Sequence, residues 1–451
     1  MKKNIIVYFF MVMLVFVSVS CTNIKTPPQT GPGQGAQPSP SGNGSLEASL
    51  KLIDEKKFDE AIKILDGEIS KNKNSEELYT ARGRAYFGKK MYDKALENFK
   101  KAQSLNPDNP ETYVNLGNFH LVMWDIDNAR KQFDKALEKD PQNVGALHGV
   151  GICYAKKLDY STAIIWYDRV IKLDPKNSGC FDNRAFAEYY TLKFDDSLKD
   201  FNKAVELNPE FSHSYFGRAR ILIREKKWKE ALDDLNNAVK YEDDFYEAYH
   251  ARGVLFADRF DYEKALKDLD YSVKLQPEST ISHYERGLVY MWMGKFDKAR
   301  NDFEIARKCK TKVYTFSVRE VDITGPVMLA DGIAAYLMGK NDAAIKEQIK
   351  KGIAITEDLD NPFDNEFCNI GYGYYILGDN KKAVANFDAA LKSDPEIYQA
   401  YYGRALAKLK LGKKKEAVDD LIISSKKLPK IWLRQKSMEM LKNQNYDLNR
   451  L

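Results

Sequence analysis

Small residues recur every 34 positions through the middle of this chain, at Gly83, Gly117, Gly151, Ala185, Ala219, Gly253 and Gly287. Twelve positions after each stands a second small residue (Ala95, Ala129, Ala163, Ser197, Ala231, Ala265, Ala299), and four further a large apolar one (Phe99, Phe133, Tyr167, Phe201, Leu235, Leu269, Phe303). Proline falls near the end of most intervals, at Pro107, Pro141, Pro175, Pro209 and Pro277. A fixed period of this length means stacked supersecondary units, because one unit cannot bury its own apolar face and its neighbours must cover it. The two small residues let a pair of helices cross closely, the large apolar residue fills the space left over, and the proline ends the second helix and sets the turn into the next unit.

The unit 76–109 carries Tyr79, Gly83, Tyr86, Ala95, Phe99, Ala102 and Pro107 in that order. In this it resembles the tetratricopeptide repeat, whose motif has an aromatic early, Gly or Ala eighth, Tyr eleventh, Ala twentieth, an aromatic twenty-fourth, Ala twenty-seventh and Pro thirty-second. The resemblance implies an all-α fold, a right-handed α-solenoid of about eleven 34-residue helix-turn-helix repeats. The register slips twice: Gly332 opens a recognisable unit eleven residues late, and Gly371, Ala383, Phe387, Ala390 and Pro395 follow five late again. The expected organisation is therefore an array of about eight repeats over 45–313, an insertion at 314–324, further repeats over 325–431 with a second short insertion at 359–363, and a C-terminal capping helix over 432–451. The array is either one superhelix or two blocks joined near 314–324.

The first residues follow another rule. Lys2 and Lys3 precede an almost unbroken apolar run from Ile5 to Val19, which ends in Ser20-Cys21. As a helix, fifteen residues at about 1.5 Å each fall short of a hydrocarbon core of roughly 30 Å, so 1–20 reads as a secretory signal peptide rather than a spanning segment. The small residues before Cys21 resemble the lipobox of bacterial lipoproteins, which implies cleavage before Cys21 and a lipid on its thiol; Ser18 stands where an aliphatic residue is usual. Residues 22–44 are rich in Pro, Gly, Ser, Gln and Thr and almost without apolar side chains, so 21–44 reads as a lipidated cysteine and a disordered tether. The formal net charge is +5, with no run of five or six like charges, which gives no footprint for nucleic acid.

In the resembled family, ligands lie in the concave groove lined by the first helix of each repeat. By register the inward residues are Phe186, Tyr189, Tyr190, Phe216, Arg220, Arg224, Tyr284, Trp292, Tyr336, Tyr372, Tyr375 and Tyr402. Aromatic residues and arginine are the side chains of protein-binding hot spots, though several of these could instead pack between adjacent first helices. Arginine also recurs at the seventh position (Arg82, Arg184, Arg218, Arg252, Arg286, Arg404), where it either binds an acidic chain or pairs with acids of neighbouring helices. His213 and His250 lack the carboxylates that a metal site needs, and no phosphate loop or nucleophile motif is present. Cys153 and Cys180 either bridge neighbouring helices or are buried thiols. The expected function is a non-enzymatic scaffold without cofactor or metal, anchored by lipid at a bacterial cell membrane or outer membrane, binding envelope proteins or peptides. The alternative is an accessory or substrate-receiving subunit of an envelope enzyme or transport assembly, binding polysaccharide or peptide.

Overall fold

The computed structural model describes residues 43–309, 322–358, 364–429 and 432–448. The signal peptide, Cys21, nearly all of the tether and most of both insertions lie outside the described residues. Among the described residues the chain forms twenty-three α-helices and no strand. They fall into eleven successive pairs, from Asn43–Asp54 with Phe58–Lys71 to Tyr398–Lys410 with Lys414–Lys427, followed by the single helix Trp432–Asn443. The chain is an α-solenoid of repeats, as the period requires. The out-of-phase repeat is complete: Thr324–Leu337 packs on Ala343–Glu357.

Local chemistry sets the boundaries of each pair. In the second full repeat Pro110 stands at the start of Pro110–Val122, where a missing N–H costs nothing, and the Asn109 side chain accepts from Glu111 N at 3.0 Å. Ser75, Asn143, Asn177 and Ser279 cap other first helices in the same way. Asp125, Asp159, Asp261 and Asp379 cap second helices. Inside a pair, the small residue makes room for a ring: a Cβ on Gly83 would lie 2.6 Å from Cε1 of Phe99, which is itself buried.

The turn between the two helices is a feature that the motif did not foretell. Lys56, Lys90, Trp124, Leu158, Leu192, Lys226 and Phe260 all have φ near +60°, and Gly294, Gly339, Gly378 and Gly412 occupy the same place in later repeats. The backbone bonds Lys90 N→Phe87 O (2.9 Å) and Met91 N→Tyr86 O (2.9 Å) show the left-handed helix ending that this conformation allows. A side chain in this region costs roughly 1–2 kcal/mol, of which glycine's looser unfolded chain gives back about 0.5–1. Leu192→Gly should therefore stabilise the protein by up to about 1 kcal/mol, whereas Gly294→Leu should destabilise it by more than that. At Gly294 a Cβ would also lie 2.9 Å from Cβ of Trp432. Paired thermal melts check both signs.

The chain divides into two compact bodies, with the boundary at Ile221/Leu222. In the N-terminal body, Ile53, Ala61, Leu65, Ile69 and Leu78 begin a core that continues repeat by repeat. In the C-terminal body one apolar cluster runs without a break from Tyr284 to Leu441. Cys153 and Cys180 are buried thiols, with Cys180 Sγ 3.5 Å from Tyr167 O. No described helix is long and apolar enough to cross a membrane.

Candidate functional site

The arginines of the seventh position are structural. Arg184 gives Nε and Nη2 to Asp200 (2.6 and 2.8 Å) and Nη1 to Asp168 (2.6 Å). Arg286 repeats the pattern with Asp302 and Asp270, and Arg404 with Asp420 and Asp388. Arg252 holds Asp268 and Asn236, while Arg82 reaches Asn98 and Asp66. Each guanidinium thus joins the second helix of its own repeat, sixteen residues on, to that of the repeat before, sixteen residues back. Their donors are committed to this lacing, which makes the ladder a clasp between neighbouring repeats rather than a track for an acidic chain.

The twelve residues expected to line an open groove divide by burial. Phe186, Tyr189, Phe216, Arg220, Tyr284, Tyr372 and Tyr402 are buried. For these the expected open lining gives way to burial: Phe186, Tyr284 and Tyr372 pack against the second helix of their own repeat. Phe186 meets Phe201 edge to face at 4.9 Å, and Tyr189 lies under the Arg220 guanidinium at 4.4 Å. Tyr190, Trp292, Tyr336 and Tyr375 are half-buried, and Arg224 is exposed. Tyr190 stacks on Tyr160 of the repeat before at 4.9 Å.

In the C-terminal body the inward aromatic residues meet others from distant repeats. Tyr284 donates its hydroxyl to Glu366 at 2.8 Å, the Trp292 and Tyr372 rings lie 5.7 Å apart, and Phe260 stacks on Tyr398 at 5.3 Å. The concave side of this body is therefore partly closed by its own later repeats.

Two features are not announced by the repeat register. Glu188, Glu247, Glu285 and Glu366 are carboxyls whose burial pushes them up, the first three to about 8 and Glu366 to about 7. Two of them break the pattern visibly: Glu188 stands at the eleventh position, where the motif has tyrosine. Glu285 stands at the sixth, where other repeats have Ala81, Asn115, Gly149, Asn183, Gly217, Ala251 and Gly403. The second feature is a set of large apolar side chains held out to solvent at the left-handed turns, Trp124 (45% exposed), Leu158 (59%) and Leu192 (60%), on three successive repeats. Among the described residues no group of three His, Cys, Asp or Glu side chains is placed to hold a metal ion.

Family models for the repeat match parts of this chain. A family model described as TPR repeat matches residues 83–121, and one described as Tetratricopeptide repeat matches 115–178, 184–247 and 368–422. Compared with the curated proteins, the chain has no match. Among solved structures it is similar to YrrB, a TPR protein with an unusual peptide-binding site (26% identity, 41% of this chain and 95% of that one, TM-score 0.32). It is also similar to pilF of Pseudomonas aeruginosa (18% identity, 46% and 94%, TM-score 0.41). A third is the APC/C hetero-tetramer Cut9–Hcn1 (12% identity, 88% and 89%, TM-score 0.46).

Proposed function

We propose, from the tetratricopeptide repeats that this chain carries, that it is a non-enzymatic protein-binding scaffold held at a bacterial envelope membrane by lipid on Cys21. The observation that carries the binding role is the succession Trp124, Leu158, Leu192. Each is a large apolar side chain in a backbone region that disfavours it; Leu158 and Leu192 are 59% and 60% exposed, and Trp124, 45% exposed, carries the Lys156 ammonium over its ring at 4.0 Å. Exposed apolar side chains repeated at one register mark a surface for a protein partner. The half-buried Tyr336 and Tyr375 of the C-terminal body offer a second surface for an extended segment. Support for the anchor comes from the short apolar run before Ser20-Cys21 and the Pro/Gly/Ser-rich stretch behind it, which would hold the repeats off the bilayer while leaving them free to turn.

The test has two arms. Cys21→Ala should move the protein out of the membrane fraction, and intact mass should show a diacylglycerol adduct on Cys21 in the parent alone. Equal membrane partition of parent and variant sinks the anchor. In the second arm, envelope proteins cross-linked to the parent are identified by mass spectrometry and their affinities measured after purification. Changing Trp124, Leu158 and Leu192 together to Ser should weaken binding at least tenfold with the melting profile kept. Unchanged affinity in that variant, and in one with Tyr336 and Tyr375 changed to Ala, rejects a scaffold that works through either surface.

A further inference from the structure

The C-terminal body contains a cavity of about 190 Å³ that the scaffold reading does not use. It lies where the helices Tyr246–Asp258 and Thr280–Trp292 face the helix Asp364–Leu377 and the segment leading into Tyr398. Its walls are fixed by contacts between repeats far apart in sequence: Arg259 Nη1 to Glu396 Oε2 at 2.8 Å, Lys226 Nζ to Ser393 O at 3.3 Å, and Gln399 Nε2 to the Tyr262 hydroxyl at 3.4 Å.

The charge inside is one-sided. Glu285 lines the cavity half-buried, and among the described residues no donor hydrogen-bonds or ion-pairs with its carboxylate. The groups that act on it are other carboxylates, Asp258 at the mouth and Glu366 behind. Glu366 is 3% exposed and lies outside the lining, where the Tyr284 hydroxyl and the Asn369 side chain act on it. The two cations on the lining, Arg259 and Lys226, are the ones engaged by Glu396 and the Ser393 carbonyl. Burial of a carboxylate without a donor is costly, and gathering two more beside it adds repulsion. Natural interiors satisfy such groups, so a cavity that leaves the Glu285 carboxylate without a donor is shaped for something that brings the missing positive charge.

The walls narrow the choice. Trp228, Phe260, Tyr262 and Trp292 line the cavity with aromatic faces, which attract organic cations and pack against hydrocarbon. A hard metal ion, by contrast, needs six or more oxygens or several waters, and no described group of three ligand side chains is placed to hold one. The volume lies a little above the roughly 150 Å³ that accepts a benzene-sized molecule and below the roughly 300–1,000 Å³ of drug-sized pockets. It suits one side-chain-sized group.

We propose that this cavity binds an organic cation, a primary ammonium or guanidinium whose charge meets Glu285 and whose hydrocarbon stem lies on the aromatic walls. Two sources carry that chemistry: a lysine or arginine side chain of a bound polypeptide, or a free alkyl amine or alkyl guanidine. The inference stands on the cavity alone. A scaffold that binds its partners and takes no cation would leave the scaffold reading intact and overturn this one.

The test is calorimetric titration of the full chain in detergent with agmatine, cadaverine and the capped tripeptide Gly-Arg-Gly, each against its neutral counterpart (pentanol for the amines, Gly-citrulline-Gly for the peptide). At least one cation should bind tenfold or more tightly than its counterpart, and Glu285→Gln should remove that preference while Glu304→Gln, a change at an exposed helix position, keeps it. A peptide tenfold tighter than both free cations identifies a side-chain pocket, and comparable affinities identify a small-molecule site; both support the proposal. A second measurement needs no variant. Because burial holds Glu285 protonated in large part near neutrality, cation binding at pH 7 should release protons, read as a dependence of the binding enthalpy on buffer ionisation heat. Equal binding of cation and neutral counterpart, or cation binding with neither proton release nor loss in Glu285→Gln, overturns it.

Discussion

Asp302→Ala is expected to lose 3–5 kcal/mol of stability, the cost of breaking a buried ion pair by removing one partner. Asp302 is 1% exposed and accepts from Arg286 Nη2 at 2.6 Å, Arg286 Nε at 2.8 Å and His283 Nδ1 at 3.0 Å. Burial by itself would raise its carboxyl, but the hydrogen bonds from Arg286 and His283 outweigh that and hold it below the usual carboxylate range. With alanine in its place the guanidinium and the ring stay where the fold puts them, without their acceptor. The same arginine supplies the control. Its other acid, Asp270, pairs at 2.9 Å but is about half exposed, so Asp270→Ala should cost between zero and about 1 kcal/mol. A double change, Arg286→Met with Asp302→Leu, should recover most of the loss, because it removes the need for pairing rather than one half of it. Urea melts of the four proteins decide. Equal losses for Asp302→Ala and Asp270→Ala would show that burial of the Asp302 pair is not what sets its cost.

That clasp also shows what the sequence made legible. The 34-residue interval fixed the helix pairs, the small residues that admit Phe99 and its counterparts, and the arginine register, because each constraint recurs in nearly every repeat and the copies correct one another. The breaks in register were legible for the same reason, and Thr324–Leu337 with Ala343–Glu357 is the out-of-phase repeat they pointed to. The turn residues were harder. The left-handed position holds Lys, Trp, Leu or Phe in seven repeats and Gly in four, so no single residue type announces it.

The candidate site was legible only in part, and the reason is geometric. Register tells which residues leave the first helix on the inner side. It does not tell whether that side meets solvent or another repeat. Tyr284 meets Glu366 at a separation of 82 residues, Tyr262 meets Gln399 at 137 and Lys226 meets Ser393 at 167. Such contacts depend on the accumulated curvature of several repeats, which a nearest-neighbour period does not state. The clue that was present lay in the departures: Glu285 at a position otherwise kept for Ala, Gly or Asn, and Glu188 at the tyrosine position.

Those departures also set the response to pH. Glu188, Glu247 and Glu285 titrate at about 8 and Glu366 at about 7 because burial disfavours their charged form, whereas in the unfolded chain they titrate near the ordinary 4.5. A carboxyl raised by folding keeps a proton that the unfolded chain has released, so its contribution is complete below pH 4.5 and is lost as pH climbs toward 8. His148 and His250 act in the opposite sense. Burial lowers both to about 4 from 6.5, so between those values the unfolded chain binds more protons and stability gains as pH rises. The two histidines offset part of the carboxyl loss up to pH 6.5 and contribute no slope above it. From pH 6.5 to 8 the carboxyls dominate, each at no more than about 1.4 kcal/mol per pH unit. Lys156, which burial lowers to about 8, opposes them only near the top of this range, so denaturant melts should lose several kcal/mol across this window. Glu247, Glu285 and Glu366 lie in the C-terminal body and Glu188 in the N-terminal one, so the C-terminal body should lose more. Glu285→Gln keeps the shape and removes the titration, so it should flatten the decline by its own share and be more stable than the parent at pH 8. Stability that is level or rising between pH 6.5 and 8, or a Glu285→Gln protein with the parent's full slope, would mean that these carboxyls are ionised within the fold at neutral pH.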